Sequence, residues 1–210
     1  MPRRCGVNGN VGGSPGRRSD CNRAINYLVN VDAGDIGPGE SLSRRFYAFI
    51  PSQTDLPEIT FKLGYIFWRR SNGSIAEGEF NLSVQRNLQL VIKPSNGEII
   101  TSSVSAGRNE WYYFEETWTR ESAPGRQDGS YRAYVGRADA PVSELSTPIV
   151  VRNNIEVGEI NRISVNGNWQ HNTDVSGFVY FDDVVIATEY VGPVGFDPNS
   201  LPAAAIQDLN

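Results

Sequence analysis

Removing a proton from a carbon beside a carboxylate takes two kinds of group: a cation or amide that neutralises the carboxylate, and a Tyr, Lys or His that exchanges the proton. The sequence offers both at the two-residue spacing of β-strand faces. Arg45 and Tyr47 share a face, as do Asn81, Ser83 and Gln85, then Tyr113 and Glu115, Arg132 and Tyr134, and Arg162 and Ser164. Lys62 lies on a neighbouring strand. In this reading Arg45, Arg132 and Gln85 hold the carboxylate, and Tyr47, Tyr134 or His171 moves protons with Lys62 alongside. Tyr113, Glu115 and Arg162 line the same surface. His171 is the only histidine, and its loop neighbour Trp169 could stack on a sugar ring. A plainer reading stands beside this one: the tyrosines fill strands, Arg45, Arg132 and Glu115 form cross-strand ion pairs, and His171 is a surface residue.

Strands are what must position these groups. The 210 residues include 21 Gly and 12 Pro, with 9 Phe and 9 Tyr, which suits many short strands and turns rather than helices. Apolar or alternating runs predict about ten strands, at 24–29, 43–50, 59–70, 80–85, 88–92, 98–104, 111–120, 130–135, 159–165 and 178–187. Asn72-Gly73 and Asn96-Gly97 are tight-turn signals between them. This predicts an all-β, two-sheet antiparallel sandwich over 23–193, with a loop or partly ordered arm at 1–22 and a tail at 194–210.

The net charge of −5 argues against nucleic acid as a bulk electrostatic partner. Of the 19 basic residues 17 are Arg, and only Lys62 and Lys93 are Lys. The planar guanidinium fork suits carboxylates and sulfates of an acidic polysaccharide, although codon usage explains the same bias. No run approaches the ~18 apolar residues of a membrane span. Met1 to Arg23 lacks the apolar core of a signal peptide, so an extracellular or cell-surface location requires a leader outside this sequence. Cys5 and Cys21 would close a short loop if joined in an oxidising compartment, and are otherwise free. Their spacing does not make a zinc site.

The run Gly177-Phe178-Val179-Tyr180-Phe181-Asp182-Asp183-Val184-Val185-Ile186-Ala187-Thr188-Glu189-Tyr190-Val191-Gly192-Pro193 carries apolar residues on both faces, with Phe178, Tyr180, Val184 and Ile186 on one side and Val179, Phe181 and Val185 on the other. It resembles the closing strand of concanavalin A-like jelly rolls, the fold of laminarinase-type glucanases, several polysaccharide lyases and many lectin modules. Trp111-Tyr112-Tyr113-Phe114-Glu115, followed by Pro124-Gly125-Arg126-Gln127-Asp128-Gly129-Ser130-Tyr131-Arg132-Ala133-Tyr134-Val135-Gly136, is similar to a pattern of lyase-like and laminin-G-like members. Arg45-Phe46-Tyr47 matches a further strand, and the three occur in the family's order across about residues 23–193.

The resemblance implies a carbohydrate-active protein. The E-x-D-x-x-E strand of the hydrolases is missing, Glu77-Gly78-Glu79 being the nearest cluster, so that activity is excluded. Similar lyases place Lys, Arg and paired Tyr on a concave sheet, and the resemblance implies β-elimination on a uronate-containing polysaccharide. Their Y-x-Y pair is absent, since Tyr131 and Tyr134 point to opposite faces. By similarity to the glucanases, Asp182 would ligate a structural calcium; a hydrogen-bonded bulge exposing one carboxylate of Asp182-Asp183 is the other reading. Two alternatives to a lyase are a non-catalytic glycan-binding module and a structural or adhesive protein of a virion, filament or cell surface, self-assembling through its N-terminal arm.

Overall fold

Strands with an apolar residue at every second position must bury one face, and two sheets stacked face to face do this for all of them at once. The computed structural model describes residues 3–5, 26–32, 36–54, 60–69, 72–83, 87–93, 98–169 and 179–194, of which 3–5, 26–32, 67–69, 75–77, 79, 81–83, 161 and 166–169 by backbone alone. The strands are β1 Arg3–Cys5, β2 Asn26–Asp32, β3 Ser41–Phe49, β4 Thr60–Arg69, β5 Ile75–Ser83, β6 Gln89–Lys93, β7 Ile100–Ser105, β8 Trp111–Thr119, β9 Gly129–Arg137, β10 Val150–Ile155, β11 Glu159–Trp169 and β12 Val179–Ala187. A single helical turn, α1 Val142–Leu145, joins β9 to β10.

The strands form two antiparallel six-stranded sheets, the first in the order β1-β12-β3-β8-β9-β10 and the second β2-β11-β4-β5-β6-β7. Phe46, Phe114 and Phe181 of the first sheet meet Phe61, Leu63, Phe80, Ile92, Ile163 and Val165 of the second in the core between them. Phe46 stacks on Phe114 at 5.3 Å and sits edge-on to Phe80 at 6.4 Å, which joins the sheets through aromatic contacts. The two-sheet sandwich expected from the sequence is the fold observed.

Three local expectations change. Within 1–22, expected as a loop or partly ordered arm, β1 pairs with β12 in the register Arg3↔Phe181, Arg4↔Tyr180 and Cys5↔Val179. Strand β10 was not expected: among the described residues it is an edge strand paired only with β9, and its Arg152-Asn153-Asn154 run breaks the alternation. In β12 the strict alternation fails. Val179 and Phe181 lie in the core with Val184 and Ile186 packed against it, whereas Tyr180 faces the other way. The cause is a bulge between Asp182 and Val185, where Asp183 takes φ +48° and its N–H donates to Asp182 Oδ1 at 2.9 Å. Gln85, His171 and Cys21 lie outside the described residues, as do the side chains of Cys5, Asn81, Ser83 and Trp169.

Candidate functional site

The candidate residues separate onto the two sheets of the sandwich. Arg45 and Tyr47 on β3, Tyr113 and Glu115 on β8, and Arg132 and Tyr134 on β9 belong to the first sheet, while Lys62 on β4, Arg162 on β11 and Trp169 at the end of β11 belong to the second. One groove holding all of them, as the sequence suggested, is therefore ruled out, because the core lies between β3 and β4. Alternation tells which residues share a strand face but not which sheet the strand joins.

On the first sheet the expected site is a buried clamp. Tyr47, Tyr113 and Glu115 have no exposed surface, because the segment after β12 crosses this face. Glu115 Oε1 accepts the Val191 N–H at 2.7 Å, and Oε2 accepts the Gly192 N–H at 3.0 Å and the Tyr113 hydroxyl at 2.6 Å. Arg45 donates to the Gly192 carbonyl at 3.0 Å and to Asp183 Oδ2 at 2.8 Å. The Tyr47 hydroxyl donates to the Val194 carbonyl at 3.1 Å, and the Tyr190 ring packs at a tilt against Tyr134, centroids 4.6 Å apart. Arg132 reaches only Ser130 Oγ, at 3.4 Å, among the hydrogen bonds of the described residues.

Burial also changes the acidity of these groups. Burial pushes the Tyr47, Tyr113 and Tyr134 hydroxyls above the ordinary tyrosine range, and the hydrogen bond to Glu115 raises Tyr113 further. Burial likewise raises Glu115. The Asp182-Asp183 pair has the geometry of the hydrogen-bonded bulge, with Asp183 exposed and joined to Arg45. Among the described residues no three His, Cys, Asp or Glu side chains converge on a metal position.

The second sheet offers a different pair. Phe61, Leu63 and Ile66 of β4 point into the core, and a bulge between Lys62 and Gly64 makes Leu63 the extra residue opposite β5. Lys62 and Tyr65, three apart, consequently share the outer face, with Lys62 Nζ 4.8 Å from the Tyr65 ring centroid. Register places Lys62 between Asn81 of β5 and Asn168 of β11, and Tyr65 opposite Ser164. Ser164 Oγ accepts the Tyr65 N–H at 3.2 Å, and Arg162 is exposed two residues along β11. Lys62 and Tyr65 are 9 % and 5 % exposed. Tyr65 escaped the sequence reading because alternation sets it opposite Lys62. The available signal was Gly64, since a glycine inside a strand marks a bulge or a close backbone approach.

No protein-family model matches this sequence, and no curated protein matches it. Solved structures do. An endo-β-1,4-glucuronan lyase from the fungus Trichoderma reesei superposes with a TM-score of 0.57 at 10 % identity, over 92 % of this chain and 89 % of that one. The fold is the jelly roll of polysaccharide lyases. An alginate lyase from Chlorella virus gives a TM-score of 0.52 at 12 % identity over 72 % of each chain. A PL-14 alginate lyase from Aplysia kurodai gives 0.52 at 12 % identity, over 73 % of this jelly roll and 72 % of its own length.

Proposed function

We propose that this jelly roll is a polysaccharide lyase that cleaves a uronate-containing glycan by β-elimination on the outer face of its second sheet. The observation that carries the reading is the Lys62–Tyr65 pair, a cation and a phenol brought onto one face by the β4 bulge. The chemistry needs both. Tyr65, as its phenolate beside the Lys62 ammonium, removes the proton from the carbon next to the uronate carboxylate, the electron pair forms the ring double bond, and the glycosidic C–O bond breaks as its oxygen takes that proton back from the Tyr65 hydroxyl. Lys62 offsets the negative charge that builds on the carboxylate, and Arg162 binds a flanking uronate. Similarity to lyases of glucuronan and alginate supports the substrate class. Such polymers are met outside cells, where we place the protein. No helix among the described residues is long and apolar enough to cross a membrane.

The test is incubation with glucuronan, polymannuronate and polyguluronate, following the ultraviolet absorbance of the unsaturated product. Absorbance should rise on at least one polymer and stop rising in Lys62→Ala and Tyr65→Phe. Loss with Tyr134→Phe but not with Tyr65→Phe would move the site to the first sheet. The low exposure of Lys62 and Tyr65 favours, as a second reading, a glycan-binding module that makes its contacts through Arg162; binding to a polyuronate without product would select it.

A further inference from the structure

One charged residue of β3 points the wrong way for its surroundings. The inward face of this strand reads Leu42, Arg44, Phe46 and Ala48, and Arg44 is 1 % exposed. Its guanidinium spans the space between the sheets. Nη2 pairs with Glu116 Oε2 on the neighbouring β8, and Glu116 Oε1 accepts the Tyr131 hydroxyl at 2.6 Å. The guanidinium carbon lies 5.4 Å from the Trp118 ring centroid. On the far side Nη1 donates to two backbone carbonyls of the second sheet, Tyr65 O at 2.9 Å and Ser164 O.

Those carbonyls belong to the cross-strand pair at the centre of the proposed site, since Tyr65 and Ser164 are register partners on β4 and β11. Gly64 makes the approach feasible: a Cβ there would collide with Arg44 Nη1 and the Ser164 carbonyl. The glycine at the bulge that sets Lys62 and Tyr65 on one face is thus also the gap through which Arg44 reaches the back of that face.

We infer that Arg44 is a positioning residue, a strut from the first sheet that fixes the backbones of Tyr65 and Ser164 and so the aim of the Tyr65 phenol. This rests on the lyase reading of the second sheet. Stability alone does not account for it, because buried ion pairs are commonly replaced by apolar side chains with no loss. The arrangement also leaves Arg44 Nε and Trp118 Nε1 without hydrogen-bond partners among the described residues. What a guanidinium adds over a methionine is direction: two donors aimed at two carbonyls hold β4 and β11 at one depth and one stagger.

The experiment compares wild type with Arg44→Met/Glu116→Gln, which removes both charges together and leaves the Tyr131 hydroxyl an acceptor. Folding is checked by thermal melting and near-ultraviolet circular dichroism. The strut predicts a folded variant whose kcat on the best polyuronate falls about tenfold or more while KM stays within about twofold, since small misplacements of reacting groups cost rate rather than affinity. It also predicts amide exchange about tenfold faster at 64–66 and 163–165, with β3 and β8 unchanged. Arg44→Lys, which keeps the charge but not the fork, should recover part of both, and serves alone if the double variant does not fold. A folded variant with wild-type kcat and exchange overturns the strut. If wild type cleaves no polyuronate, the lyase reading fails, and the exchange comparison still decides whether Arg44 pins β4 to β11.

Discussion

Truncating the clamp carboxylate, Glu115→Ala, should cost the protein about as much stability as losing a large core side chain. The substitution strands three donors that Glu115 now satisfies: the Val191 and Gly192 N–H groups at 2.7 and 3.0 Å and the Tyr113 hydroxyl at 2.6 Å. At about 1–1.5 kcal/mol for each stranded donor the total is about 4 kcal/mol. For a chain of this size that lowers Tm by about 8–16 °C. Glu115→Gln, which retains an accepting oxygen but no charge, should lose about half as much. Part of the cost is escapable, because the segment can lift from the sheet and let water reach the stranded groups. Urea titration reads the global loss, and amide exchange at Val191 and Gly192 reads the local one. A global loss below about 1 kcal/mol together with unchanged exchange at these two amides would refute the reasoning, since then Glu115 would not be what holds the segment down.

Phe46, 1 % exposed and in ring contact with Phe80, Phe114 and Phe181, is the core position where truncation should be most felt: Phe46→Ala is expected to cost about 3–5 kcal/mol in a urea titration with an unchanged m-value. The pH dependence of stability has a definite sign. Burial holds the Glu115 and Glu116 carboxyls above their ordinary value of 4.5, so the folded state keeps protons that the unfolded state gives up in the window above it. Their contribution is greatest below that window and falls as pH rises through the folded values. Glu115→Gln should accordingly flatten the Tm profile above pH 4.5, and a profile as steep as wild type would count against it.

The sandwich was legible because its cause is local and repeated. Nine-residue strands such as β3 and β8 carry apolar groups on alternate positions, and turn signals such as Asn72-Gly73 separate them, so strand positions follow from the chain alone. Strand β10 was illegible for the converse reason: an edge strand with a polar centre has no alternation to read. The faces of Arg45 with Tyr47 and of Tyr113 with Glu115 were also correctly read as shared, and the structure joins Tyr113 to Glu115 directly.

What the chain by itself determined, then, was ten of the twelve strands, the two-sheet fold and several pairs of residues lying on one strand face, all consequences of a two-residue period. Only the tertiary structure decided the rest. It put β3 and β4 in different sheets, which divided one imagined groove into a buried clamp on one side and the Lys62–Tyr65 pair on the other. It also placed the bulges at Lys62/Gly64 and Asp182/Val185, each of which reverses the phase of every side chain beyond it. Sheet membership and bulge position depend on which strands meet across the chain, and no period within a strand encodes that.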